Sequence, residues 1–184
     1  MKKFTVLLLL SNILLFSNKS VAQNNTNDQK YIYKKGDYNG IGKWYMDREI
    51  AYVMGYEGIG WLERSEREKE ENVSKLIQNM DIKPNDTIAD IGAGSGYHVF
   101  RIAPIANKGM VYAVDIQTEM LMAIENIKER SKIKNIKTIL GSEESVYLPK
   151  NSVDKILMVD VYHEFSFPKE MITSIKSALK PKGE

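Results

Sequence analysis

Two acids and three glycines in this chain stand at spacings suited to holding a nucleoside-bearing ligand. Asp90 lies near the end of an apolar run, residues 87–91 (TIADI), and Gly92, Gly94 and Gly96 follow at alternate positions. The next segment, 97–106, is apolar enough for a buried helix. Strand, glycine turn and helix form the opening of a mononucleotide-binding βαβ unit. Glycines there let the backbone turn through positive φ and let a ligand approach without meeting a Cβ. The free N–H groups at the start of the following helix favour a carboxylate or phosphate. A second acid, Asp115, comes near the end of the next run, 110–116 (MVYAVDI), where a carboxylate can accept both hydroxyls of a ribose.

The spacing narrows the ligand. A dinucleotide fingerprint, GxGxxG, needs its third glycine where this chain has Tyr97. A tight turn with no ligand would account for the glycines but not for the spaced acids. Polar groups recur after each later apolar run: Gly141-Ser142-Glu143 after 135–140, and Asp160-Val161-Tyr162-His163-Glu164 at the end of 154–160. In a doubly wound sheet the ligand lies across the carboxyl ends of the strands, so these segments would converge.

The DxGxGxG loop and the acidic strand that follows resemble motif I and the next strand of the class I S-adenosylmethionine-dependent methyltransferases. The resemblance covers residues 62–184. It implies an α/β fold, a Rossmann-like doubly wound parallel sheet, with S-adenosyl-L-methionine as cofactor. It implies methyl transfer to a small-molecule acceptor by in-line displacement. Carried onto this sequence, Gly92, Gly94 and Gly96 pass the methionine moiety, Asp90 helps fix its ammonium, and Asp115 takes the ribose hydroxyls with Ile116 packed on adenine. Ser142 and Glu143 stand where many members have Gly-Asp-Ala, so the adenine-amine contact falls to one of these two. Residues 160–164 stand where quinone-biosynthesis and arsenite-type relatives often have Asn-Val-Leu-His-His, the wall between cofactor and acceptor. Asp160 belongs to that wall. His163 is the candidate general base, with Asp160 behind it, because histidine is the side chain that ordinarily titrates near neutrality. The alternative for His163 is a structural histidine tying the loop. Two other functions compete: a nucleoside-binding module without catalysis, and a nicotinamide-dependent oxidoreductase, disfavoured by Tyr97.

The elements that must position these residues follow from periodicity. Residues 62–80 form an amphipathic helix with Val73, Leu76, Ile77 and Met80 on one stripe, its charged first half being a solvated face. Residues 117–131 form a helix with Met120, Leu121, Ile124 and Ile127 inward, and Pro168 opens another to Lys180. The run 154–160 is nearly all apolar, as in an interior strand covered on both faces. Ahead of these, residues 31–61 hold six glycines and eight aromatics, which suits a lid over a small-molecule pocket or a wrap over the sheet. Residues 46–54 read as a short helix within it.

The balance of charge argues against a nucleic-acid surface. Formal charge is +2, but Lys2, Lys3 and Lys19 lie in a leader without acids, and the remainder has 23 basic against 24 acidic residues. With no cysteine there is no disulfide or thiolate metal site, and two histidines, His98 and His163, match no metal-ligand spacing. Composition says nothing of oligomeric state.

The chain divides into a leader, 1–22, a linker with the lid or wrap, 23–61, and the methyltransferase-like domain, 62–184. Lys2 and Lys3, the apolar run 4–16 and Ser20-Val21-Ala22 read as a secretory signal peptide. An uncleaved membrane anchor is the alternative, placed second because the run is shorter than the ~20 residues a spanning helix needs; the mature chain, cleaved after Ala22, is expected to have no span. In class I methyltransferases a turn like residues 179–183 precedes a fifth strand, so further strands are expected after Glu184. Expression in a bacterium with a working export pathway is expected to give a chain beginning at Gln23. Intact Met1 in a membrane pellet, found by mass spectrometry, would instead show an anchor.

Overall fold

The computed structural model describes residues 31–184; the expected signal sequence and the linker ahead of residue 31 lie outside the described residues. Two sheets organise the described chain. The first comprises β1 (Ile32–Tyr33), β2 (Gly40–Tyr45) and β3 (Arg48–Ala51), antiparallel in that order. The expected helix over 46–54 is therefore a hairpin arm. Tyr45 pairs with Arg48, and the two residues between, Met46 and Asp47, both have positive φ (48° and 61°). That is the primed turn whose twist matches paired strands.

Three short helices follow: α1 (Ile59–Leu62), α2 (Arg67–Glu71) and α3 (Val73–Asn79). A single helix over 62–80 does not form. Asn72 takes a left-handed conformation (φ 51°) and turns the chain between α2 and α3. The apolar stripe survives in α3, where Val73 and Ile77 are buried.

The second sheet carries the glycine loop. It consists of β4 (Thr87–Ile91), β5 (Met110–Asp115), β6 (Ile136–Leu140) and β7 (Lys155–Leu157), all parallel, in the order β6-β5-β4-β7. The order reverses beside β4, so the switch point lies between β4 and β7, as the doubly wound expectation required. Helix α4 (Val99–Ile102) is shorter than expected and continues as turns. Helices α5 (Thr118–Ser131) and α6 (Pro168–Ala178) complete the crossovers.

Two apolar cores cover the two faces. One packs Val73, Val99 and Ile102 with Ile124 against Ile88 and Val111; the other packs Val146, Met171 and Ile175 against Ala89, Ile91 and Val114. Alternate residues of β4 thus serve opposite faces, the period-2 rule of a strand buried on both sides. β7 departs from expectation. Only three residues are extended, and Met158 is 39% exposed. On its outer side the Glu184 amide donates to the Asp154 carbonyl (2.9 Å) and the Ile156 amide donates to the Glu184 carbonyl (2.8 Å), the pattern of a parallel ladder.

The turn into β5 has no room for a side chain at Gly109. A Cβ there would run into the main-chain carbonyl of Asp86, which receives the Met110 amide. Backbone cannot step aside as a side-chain tip can, so Gly109→Ala should cost about 2–4 kcal/mol of stability. Chemical denaturation of variant and parent measures it; a difference under ~0.5 kcal/mol would contradict this packing.

Candidate functional site

The glycine loop after β4 is held against β5 by main-chain bonds. The Gly92 and Ala93 amides both donate to the Val114 carbonyl (2.8 and 3.0 Å), and the Gly94 amide donates to Asp115 Oδ2 (2.9 Å). Gly92, Gly94 and Gly96 all have positive φ (71°, 53° and 83°). A Cβ on Gly92 would clash with the Val161 side chain, and one on Gly94 would stand 2.7 Å from Leu62 Cδ1. Gly96 serves a different end: a Cβ there would meet Phe100 and Ile124, so its lack of a side chain lets α4 and α5 approach.

A cavity of about 270 Å³ opens at the carboxyl ends of the strands. Asp90, Gly92, Gly94, Asp115, Ile116, Ser142, Glu143, Asp160 and His163 line it; Gly96 does not. The topology therefore brings together side chains from four separate strand ends. Ile116, 39% exposed, offers an apolar shelf. The Ser142 hydroxyl accepts the Glu144 and Ser145 amides (3.3 and 3.1 Å), which fixes the bend of its loop. Glu143 accepts a long bond from Ser166 (3.3 Å). Asp160 has φ 52°, unusual for a side-chain-bearing residue, and this turn directs Val161 onto Gly92. His163 Nε2 stands 3.8 Å from Glu164 Oε1.

Burial dominates the electrostatics. Asp90 is 2% exposed, and its Oδ2 has no hydrogen-bond partner. Loss of solvent, reinforced by the Asp115 charge, raises its carboxyl to about 8. Burial also raises Asp115, against the pull of the Gln117 and Gly94 amides. Glu164 is raised for the same first reason. His98 is pushed down to about 4 by burial and the nearby Arg67 charge, and its Nε2 likewise lacks a partner.

Arg67 and His98 line the cavity too, and neither was expected there. Arg67, in the charged run assigned to solvent, is 5% exposed. It donates to Glu71 and to the Leu62 carbonyl (both 2.9 Å), and its guanidinium lies 4.4 Å from the centre of the Tyr97 ring. No local pattern distinguishes it from its charged neighbours. His98 had a usable signal, since it sits between the glycine turn and a helix whose Val99 and Ile102 face the core. From residues 31–61, Val53, Met54 and Trp61 line the cavity. Among the described residues there is no group of three or more His, Cys, Asp or Glu placed to hold a metal ion, and no helix long and apolar enough to cross a membrane.

A carboxyl that titrates near 4 when unfolded and near 8 when folded costs stability as pH rises between those values. The folded state then binds the proton that the unfolded state releases. Asp90→Asn removes this cost. The variant should exceed the parent in stability by on the order of 2–5 kcal/mol at pH 8, and by less at pH 5. Denaturant titrations at the two pH values test the sign; a gain independent of pH would show that Asp90 does not titrate in this window.

Comparison with known proteins agrees with this architecture. Protein-L-isoaspartate O-methyltransferase of Pyrococcus horikoshii is 30% identical over 104 residues, 56% of this chain and 46% of that protein. The ubiquinone/menaquinone biosynthesis C-methyltransferase of Wigglesworthia glossinidia brevipalpis is 29% identical over 111 residues, 59% of this chain and 44% of that one. The chain thus spans about half the length of these curated relatives. Among solved structures, a SAM-dependent methyltransferase from Aquifex aeolicus superposes with a TM-score of 0.66 at 28% identity, covering 70% of this chain and 69% of that one. Residues 82–184, which hold the glycine loop and all four parallel strands, match the family described as Methyltransferase domain, and the chain belongs to that family.

Proposed function

We propose that this chain binds S-adenosyl-L-methionine and catalyses transfer of its methyl group to a small-molecule acceptor. One observation carries the reading: a fully buried carboxylate oxygen, Asp90 Oδ2, without a partner, on a cavity whose neighbouring strand ends in Asp115. An unpaired buried acceptor fits an ammonium group, and a second carboxylate one strand away fits a ribose diol. The lack of Cβ atoms at Gly92 and Gly94 lets the cavity-lining side chains of Val161 and Leu62 pack directly on the loop.

In this reading Asp90 receives the ammonium, Asp115 the ribose hydroxyls, and Ile116 packs against adenine, with Ser142 or Glu143 near the adenine amine. Arg67 and the unpaired His98 nitrogen suit the cofactor's carboxylate, a charge-assisted contact on the same wall. The cofactor supplies a methyl group already activated on a sulfonium. The protein's share is then mainly to orient, desolvate and hold an acceptor in line. Val161, His163 and Glu164 form the wall on the acceptor side. His163 takes a proton from acceptors that carry one, with Asp160 and Glu164 beside it. The apolar lining from Val53, Met54 and Leu62 together with the neutral charge balance supports a small acceptor over a nucleic acid. Export through residues 1–22 belongs to the same proposal.

Calorimetric titration with S-adenosylhomocysteine tests it. Asp115→Ala should weaken binding by about one to two decades, the loss of a hydrogen-bonded charged acceptor. Gly94→Val should abolish binding while the parallel sheet persists, because the new side chain enters the space against Leu62. Equal affinity in parent and Asp115→Ala, or preference for NAD, would refute the assignment.

A further inference from the structure

We infer that Gln117 and Glu164 are positioning residues that hold residues 54–56 as a strap across the cavity, with Gln117 linking that strap to Asp115. The peptide of Met54, a cavity-lining residue, is gripped from both walls. Its N–H donates to Glu164 Oε1 on the acceptor side (3.2 Å), and its carbonyl accepts from Gln117 Nε2 on the β5 side (3.0 Å). The Tyr56 N–H then donates to Gln117 Oε1 (2.9 Å). One carboxamide thus gives and receives a bond, as a neighbouring strand would. Only a side chain with both donor and acceptor can do this, so a carboxylate of the same size cannot substitute.

Gln117 also acts through its main chain. Its own N–H donates to Asp115 Oδ1 (2.9 Å), while the other Asp115 oxygen holds the Gly94 amide. The carboxylate at the end of β5 and the strap over the cavity are therefore anchored on a single residue. Further contacts anchor the flanks. Arg48 in β3 donates to the His163 carbonyl (3.0 Å) and lies 5.0 Å from the centre of the Tyr162 ring. Beyond the strap, Leu62 rests on Gly94 and Ser95 donates to Glu63. The strap is tied to the glycine loop, to the start of α5 and to the wall after β7. A ligand bound beneath it leaves when the Gln117 and Glu164 bonds release.

The role in ligand retention rests on the cofactor reading above; the latch itself does not, and the experiment separates them. Hydrogen–deuterium exchange on the ligand-free chain reads the latch. In Gln117→Ala and Gln117→Glu, peptides covering residues 54–56 should exchange about tenfold faster than in the parent, while β4 and β5 keep parent protection. Glu164→Ala should speed the Met54 amide in the same way. Unchanged exchange at residues 54–56 would overturn the latch. Dissociation of S-adenosylhomocysteine, followed through Trp61 fluorescence at the cavity edge, reads retention. It should be about tenfold faster in both Gln117 variants, with association changed much less. Faster exchange with parent-like dissociation would overturn the retaining role. A parent that binds no S-adenosylhomocysteine would overturn both that role and the cofactor reading, leaving the latch to be decided by exchange alone.

Discussion

The hydrogen bond from the Gly94 amide to the Asp115 carboxylate joins the two strand ends on which the site is built. It closes the glycine loop onto β5 and leaves that loop in a conformation with three positive φ angles within five residues. Val114 reinforces it by accepting both the Gly92 and Ala93 amides. Parallel strands make this possible, because their register brings the carboxyl ends of β4 and β5 to the same edge. With the loop fixed there, Asp90 is 2% exposed and lines the cavity.

The site is arranged at a cost to the fold. A carboxylate buried without a partner is disfavoured, and proximity to Asp115 adds like-charge repulsion. His98 stands in a similar position, an imidazole held neutral by its surroundings. Asp90 Oδ2 and His98 Nε2, two buried polar atoms without a hydrogen-bond partner, belong to residues that line the same cavity, an arrangement that structural cores avoid. The two apolar cores on either side of the sheet supply the stability that tolerates them.

The N-terminal sheet fits the same logic. It leans on the start of α6 through an edge-on contact between Tyr31 and Phe167 and through Lys43, whose ammonium lies 3.3 Å from the centre of the Phe167 ring. Lys43 is 4% exposed, an uncommon state for lysine that the surrounding aromatic faces make tolerable. Of the glycines and aromatics that mark residues 31–61 in the sequence, Tyr31 serves this docking with Tyr45 packed on it, and Gly40 and Gly42 lie in β2, while Tyr33, Tyr38 and Tyr52 stay exposed. What reaches the cavity is the segment after β3.

The parallel α/β frame and the glycine loop with its two acids were legible in the amino-acid order, because strand period, glycine spacing and strand-end acids are local signals. The same order carried α5 and α6 through their apolar stripes. Other features depended on partners distant in sequence. Within residues 46–54, Arg48–Ala51 became a strand because β2 stood ready to pair with it, overriding a weak local preference. The helix over 62–80 broke at Asn72, and Arg67 in the preceding helix is buried against Tyr97 rather than exposed with its charged neighbours. Gly96 and Gly94 read alike in sequence, yet one admits α4 against α5 and the other borders the cavity. Gln117 looked like the first residue of a helix, and its bonds to residues 54 and 56 lie more than sixty positions away. Local chemistry set which groups could bind a ligand; only the packing of remote segments decided which of them face it and what closes over it.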